Sequence, residues 1–529
     1  MALPRELKGR AASDGIFCGP VVRLDAPVAM QRTTGAPPQE AEALRLAIAQ
    51  AQAQIAGMLQ DLTGDSADIL AFQLAMLEDE ALSAAAMEMI AAGSSAGVAW
   101  NNALEAQAAD CESDADEYFR ARAADLRDIR DRVLRRLNGA ATADVPSGAV
   151  LLGEDMAPTR FLETGWREGG AIALTHGSPT SHVAMLARAR GVPMVVGLGG
   201  FGPRQPRAAI VDGEAGVVIL DPSALDRTGY AKRRAEFAGA RAIEARFLME
   251  PARRRDGSRI ELLINVASVE ELDAIDPASC DGIGLMRSEF LFRDGGALPG
   301  EDEQYAAYRQ FLEWAGGRPV TIRTLDIGGD KPIAGLTPVG EKNPFLGLRG
   351  VRLTLARPGV FRVQLRALAR AAVHGALKVM IPMVTRPEEL AATAALLDQC
   401  IGELAGDGIA HARPPLGIMI EVPAAALAPG LFADAAFFSI GSNDLTQYLT
   451  AAARDETAVA ALCDPGHPAV IGLIGAVAAF GRAHAIPVSL CGDMASDPAH
   501  LPALLAAGLT SLSAAPARLA RVKAALAEL

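Results

Sequence analysis

Between residues 259 and 492 short apolar runs keep returning, with helical stretches between them: "RIELLINV", "DGIGLMR", "RPVTIRTL", a weaker run around "FLGLRGVR", "ALKVMIPMV", "PLGIMIEV", "AAFFSIG" and "IPVSLCG". Strands that alternate with helices must run parallel, because each crossover brings the chain back to the same edge. Eight such strands in about 270 residues match the size of a closed (β/α)8 TIM-like barrel. The expectation is therefore a barrel over residues 259–529.

The upstream half has a different texture. Residues 149–221 alternate strand-like and helical pieces with glycine turns ("GAVLLGED", "GGAIALT", "GVPMVVGL", "RAAIVDGEAGVVIL"), which points to a smaller α/β domain. Residues 1–25 share that texture. The stretch between them is alanine-rich, charged and helical, with Leu44, Ile48, Ile55, Met58, Leu59 and Leu62, and later Leu126, Ile129, Val133, Leu134 and Leu137, at helical spacing. The reading is multidomain α/β. An α/β domain formed by 1–25 and 140–222 carries a helical insertion at 26–139, and a linker helix at 223–258 leads to the barrel.

Barrel enzymes carry their reactive groups at the C-terminal ends of the strands. At those ends stand Arg287, Arg323, Glu421, Asn443, Asp444 and Cys491, with Arg349 near the weak fourth run. Each alone reads as a surface ion pair, a helix cap or a small buried thiol. Their coincidence at one mouth has a sharper meaning. Guanidinium forks bind phosphate and carboxylate, and two carboxylates from different strands can share one Mg²⁺ with a substrate's own oxygens. The expected ligand is a small anion bearing both groups.

A second feature lies in the α/β domain, where Gly177, Ser178, Pro179, Thr180 and Ser181 deliver His182 onto a helix. Thr180 and Ser181 are N-cap candidates, and a helix start offers free N–H groups and a positive dipole end. A neutral imidazole there is a competent phosphorus nucleophile, so His182 is expected to carry a phosphoryl group.

The formal net charge of −13 argues against nucleic-acid binding, which needs a basic surface. Cys18, Cys111, Cys280, Cys400, Cys463 and Cys491 form no CxxC pair, which suits free thiols in a reducing cytoplasm. Neither a signal peptide nor a membrane span is expected.

Along nearly its whole length the chain resembles Enzyme I of the phosphoenolpyruvate:sugar phosphotransferase system. The resemblance rests on "LEDEAL", "EYFRARAADLRDI", "TSHVAMLARARGVP", "GIGLMRSEFLF", "ALPGEDEQYAAYR", "RTLDIGGDK", "NPFLGLRGVR", "GIMIEVPAA", "FFSIGSNDLTQY" and "LCGDMA", in the family's order. It implies a phosphohistidine swivelling domain, an insertion that docks the phosphocarrier HPr, and a barrel that binds phosphoenolpyruvate and makes a homodimer. By match, His182 is the phosphorylated residue and Cys491 the acid that protonates the enolate. Arg287, Arg323, Arg349, Asn443, Asp444 and Arg454 resemble the phosphoenolpyruvate contacts, and Glu421 and Asp444 the Mg²⁺ ligands.

The chain departs from that pattern where Pro179 stands in place of an arginine before Thr-Ser-His, and where Asp455 and Glu456 follow Arg454 in place of Gly-Asn. "CGD" replaces the commoner "CGE". Pyruvate,phosphate dikinase and phosphoenolpyruvate synthase share the barrel and the phosphohistidine domain, but they need a large nucleotide-binding domain that does not fit before His182. A non-catalytic phosphoenolpyruvate-sensing regulator on the same fold is the alternative reading, motivated by the altered loops.

Overall fold

The computed structural model describes residues 6–24, 34–59, 65–113, 117–139, 148–166, 169–177, 181–201, 206–292, 298–329, 333, 335–338, 340–453 and 459–529, with His182 placed by its backbone. The chain divides into two compact units, Met1–Gly239 and Ala240–Leu529.

In the first unit, strands β1 (Glu6–Lys8), β2 (Arg10–Ser13) and β3 (Ile16–Arg23) precede five helices: α1 (Pro37–Leu59), α2 (Asp65–Glu78), α3 (Glu80–Ala91), α4 (Ala96–Ser113) and α5 (Glu117–Leu137). There follow β4 (Val150–Gly153), α6 (Pro158–Glu163), β5 (Ala171–Leu174), α7 (His182–Arg190), β6 (Met194–Val196), β7 (Ala208–Asp212) and β8 (Val217–Leu220). All eight strands join one sheet in the order β1-β8-β7-β3-β4-β5-β6-β2. Its centre, β3 to β6, is parallel, and β3 pairs directly with β4, Val21 opposite Val150, across the whole helical insertion.

Side chains alternate across the strands, yet both faces are buried. Leu151, Ile172 and Met194 pack under α7 through Val183, Ala184 and Ala187, while Val150, Ala171 and Val195 face Val211 and Val218. That is why these strands read as unbroken apolar runs rather than alternating ones.

The insertion has its own core around Leu44, Ile55, Leu70, Ile90, Trp100, Leu104, Ile129 and Val133. Buried polar groups join it to α6. Arg132 Nη1 meets Glu163 Oε1 at 2.5 Å, and Asp128 Oδ2 accepts from Gln73 and from the Thr159 hydroxyl. A helix with no buried residue, α8 (Ala224–Ala245), follows the sheet.

In the second unit, strands β9 (Glu261–Val266), β10 (Ile283–Arg287), β11 (Val320–Arg323), β12 (Leu377–Ile381), β13 (Leu416–Ile420), β14 (Phe438–Ile440), β15 (Val488–Leu490) and β16 (Ser511–Ala514) close into a parallel barrel. Its helices are α9 (Glu301–Ala315), α10 (Val351–Ala356), α11 (Pro358–Ala371), α12 (Pro387–Gly406), α13 (Pro423–Leu427), α14 (Ser442–Thr450), α15 (Pro468–His484), α16 (Leu501–Ala506) and α17 (Leu519–Glu528). Seven barrel strands lie in seven of the apolar runs, but the eighth assignment needs correcting. "FLGLRGVR" holds no strand. It begins in a 3-10 turn, Pro344–Leu346, passes Gly350 at φ 57°, and enters α10. The missing strand is β16, whose sequence "SLSA" carries two serines. Among the described residues no helix is long and apolar enough to cross a membrane.

Candidate active site

The barrel delivers its polar side chains where the strands end. β10 ends on Arg287 and β11 on Arg323; Glu421 follows β13, Asn443 and Asp444 open α14 after β14, and Cys491 follows β15. Arg349, expected near a fourth strand, sits instead in the loop between β11 and α10, where it is 3% exposed.

Asp326, fully buried just beyond β11, ties two of the arginines together. Its Oδ2 lies 2.9 Å from Arg323 Nη1 and 3.1 Å from Arg349 Nη2, and its Oδ1 accepts from Arg349 Nε at 3.0 Å. Arg323 Nη2 also meets Glu289 Oε1 at 2.5 Å, and Arg349 Nη2 reaches Asp444 Oδ2 at 3.1 Å. Arg349 Nη1 donates to Tyr448 Oη, which donates in turn to the Phe345 carbonyl. Burial alone would lower both arginine pKa values, but the carboxylates outweigh it and raise them, so both stay charged.

Glu421 is aimed by an unusual backbone. Met383, a non-glycine residue at φ 60°, points its N–H at Glu421 Oε1, 2.6 Å away. Burial, then the nearby Asp444 and Asp326 carboxylates, holds the Glu421 carboxyl well above the usual carboxylate range. Asp444 Oδ1 is buried without a hydrogen-bond partner among the described residues. Two crowded, buried carboxylates with one oxygen unclaimed are a donor set that suits a hard divalent cation.

The Cys491 thiol is 5% exposed, and burial pushes its pKa up to about 11, partly offset by the Ser439 hydroxyl donating to Sγ at 3.3 Å. It also feels the charges of Arg323, Glu421 and Arg287. Asn443 and Asp493 brace the two neighbouring loops reciprocally: Asn443 Nδ2 donates to Asp493 Oδ2, and Asp493 N donates to Asn443 Oδ1, both at 3.0 Å. Arg287 Nε is buried without a hydrogen-bond partner among the described residues.

The structure thus gathers Arg323, Arg349, Glu421, Asp444 and Cys491, with Arg287 at the end of β10 and Asn443 in the first turn of α14. Arg454, Asp455 and Glu456, like Pro179, lie outside the described residues. Sequence reasoning missed Glu289, Asp326, Tyr448 and Ser439. Glu289 and Asp326 stand inside "GIGLMRSEFLF" and "RTLDIGGDK", but nothing in the spacing says which carboxylates meet the arginines.

In the first unit His182 opens α7. Ser181 is the N-cap (φ −64°, ψ 157°), its hydroxyl accepting from Ala184 N at 3.3 Å, and Gly191 ends the helix at φ 64°. Arg10 Nη2 donates to the Gly177 carbonyl at the start of the preceding loop.

A parallel barrel with arginines, crowded carboxylates and a protonated thiol at its mouth, joined to an α/β unit that starts a helix on a histidine, defines a multidomain enzyme acting on a small anion. Family models carry this further: the N-terminal domain of PEP-utilising enzymes matches residues 8–122, the mobile domain 145–216 and the PEP-binding domain 241–529. The chain is 38% identical over 511 residues to the phosphoenolpyruvate-protein phosphotransferase of Cupriavidus necator, covering 92% of this chain and 87% of that one. It is 36% identical over 542 residues to the protein of that name from Geobacillus stearothermophilus, covering 99% and 93%. The chain belongs to the phosphoenolpyruvate-protein phosphotransferase family. A solution NMR structure of Enzyme I (nEIt) is 28% identical and covers 44% of this chain and 99% of that one, at a TM-score of 0.36.

Proposed function

We propose that this chain transfers the phosphoryl group of phosphoenolpyruvate to His182, and from there to a histidine of an HPr-like phosphocarrier, releasing pyruvate. It opens the sugar phosphotransferase relay. The observation that carries the reading is the array Arg323–Asp326–Arg349–Asp444 beside a thiol that stays protonated.

The guanidiniums of Arg287, Arg323 and Arg349 receive the phosphate and carboxylate as bidentate partners, with Asn443 and Arg454 completing the contacts. Mg²⁺, held by Glu421 and Asp444, would neutralise charge on the transferring phosphoryl oxygens. The imidazole nitrogen of His182 attacks phosphorus as the P–O bond to the enol oxygen breaks, and that oxygen keeps the electron pair. Cys491 then gives its proton to the methylene carbon, which yields pyruvate and a thiolate that solvent reprotonates. On α7 the N–H groups at the helix start and the dipole would favour the phosphorylated histidine.

Because His182 and the barrel belong to different units, each turnover needs the histidine to visit the barrel and then the carrier. We read the connector 223–258 as the swivel, the helical insertion as the carrier dock and the barrel as the dimerisation unit. Six free cysteines fit the cytoplasm as the compartment.

The test is intact-protein mass spectrometry after mixing with phosphoenolpyruvate and Mg²⁺ at mildly alkaline pH, with peptide mapping. One acid-labile phosphoryl group on His182, absent in His182→Ala, is the expected result. No gain in the wild-type chain would overturn the transfer and bring forward the phosphoenolpyruvate-sensing regulator.

A further inference from the structure

One face of α11 is lined by Phe361, Leu365 and Leu368, all fully buried, yet it also sends a single amide, Gln364, into the same interior at 1% exposure. A buried amide costs stability unless its atoms are bonded, and here they are. Gln364 Oε1 accepts from Leu325 N at 2.9 Å, while Nε2 donates to Ser288 Oγ and to Tyr308 Oη, both at 3.0 Å. The line continues outward: Tyr308 donates to Gln304 Oε1, and Gln304 Nε2 donates to the Pro299 carbonyl.

The two inner contacts fall at particular places. Ser288 stands between Arg287 and Glu289, and Glu289 holds Arg323. Leu325 immediately precedes Asp326, which holds Arg323 and Arg349. One side chain therefore holds the backbone of the loop after β11, at Leu325 N, and the Ser288 side chain at the end of β10, and through these two points it is linked to all three arginines.

We propose that Gln364 is a positioning residue for phosphoenolpyruvate binding, setting the separation of the loops after β10 and β11 so that Arg287, Arg323 and Arg349 face one anion together. This rests on the phosphoenolpyruvate reading above. Arginines displaced by about 1 Å lose bidentate contacts made alike in ground and transition states, so the loss falls on apparent affinity more than on the limiting rate.

The experiment is single-turnover phosphorylation of the full chain by phosphoenolpyruvate with Mg²⁺, paired with amide hydrogen exchange on the unliganded chain. In Gln364→Leu the half-saturating concentration rises about tenfold or more while the limiting rate stays within roughly threefold. Exchange quickens at 287–292 and 324–327 together, but not at 443–446. The comparison is Arg366→Met on the same helix, where Arg366 faces Glu301, Glu403 and Asp407. That change lowers the thermal midpoint yet leaves half-saturation and both segments unmoved. If Gln364→Leu does not fold, Ser288→Ala gives a smaller rise in half-saturation, with faster exchange confined to 287–292. The proposal is overturned if half-saturation in the folded variant stays within about twofold, or if exchange rises uniformly as for any weakened core. A wild-type chain that takes no phosphoryl group refutes the function instead, and the exchange comparison still decides whether Gln364 holds the two loops.

Discussion

Replacing Cys491 with alanine tests the chemistry at the barrel mouth most directly. With its pKa near 11, roughly one thiol in a thousand is ionised at pH 8, against roughly one in four for an ordinary thiol. The group is therefore a proton donor across the whole physiological range. A positioned general acid contributes about 10²- to 10⁴-fold, or roughly 3–5 kcal/mol of barrier. Pyruvate release in a coupled assay should fall by that factor in Cys491→Ala, while half-saturation by phosphoenolpyruvate moves less than about threefold, because the thiol is not among its anion-binding groups. In the wild-type chain the limiting rate should show no loss of this acid below about pH 10. An unchanged rate in the variant would remove Cys491 from the reaction. A wild-type profile that falls near pH 8 with a limb the variant lacks would instead keep Cys491 as the acid and refute its raised pKa, since the thiol would then titrate as an ordinary exposed one.

The same thiol makes stability depend on pH. Its folded pKa lies above the unfolded value, so its contribution is complete below about pH 8.5 and is lost as pH climbs through about 11, by about 3 kcal/mol at most; calorimetry from pH 7 to 11 should show this decline shrink in Cys491→Ala. Gly492→Ala should cost about a hundredfold or more in activity, because the added carbon would stand 1.9 Å from Ser442 Oγ and 2.8 Å from Ser442 N. Gly472→Ala, with nothing within 4 Å, should be harmless in the same assay. Arg132→Met leaves Glu163 buried without its closest cation and should cost about 3–5 kcal/mol, most of it recovered when Glu163→Leu is added, as read from thermal midpoints.

How much of this was legible in the sequence depends on how local each cause is. Strands buried on both faces announce themselves as apolar runs, which is how seven barrel strands were placed. β16 escaped because alternate positions are serines, and Ser513 faces Asn265 through a 2.6 Å hydrogen bond that no local pattern encodes. "FLGLRGVR" misled for the opposite reason. Its apolar residues serve a loop that bends at Gly350 and carries Arg349 inward. The strand-end position of Arg323, Glu421, Asp444 and Cys491 follows from chain order alone. Their partners do not: Glu289 reaches Arg323 only when β10 pairs with β11, and Asp326, three residues beyond Arg323, meets Arg349 only when the loop before α10 folds inward. Gln364 sits farther still from any sequence signal, a lone amide on a core-facing helix.

Arg349 already uses Nε, Nη1 and Nη2 on groups of the protein itself, and Arg323 already holds two carboxylates. An arriving anion must therefore outbid carboxylates that are tethered, desolvated and at hydrogen-bond distance. A phosphate dianion with three oxygens offers the guanidiniums more charge and more acceptors for that competition than chloride, acetate or another monovalent anion. The same competition acts in reverse after transfer. On the proposed function, pyruvate keeps one carboxylate and no phosphate, which leaves Asp326, Glu289 and Asp444 as strong competitors for the guanidiniums. On that function, the internal ion pairs would thus favour entry of the doubly charged phosphate over retention of the singly charged product.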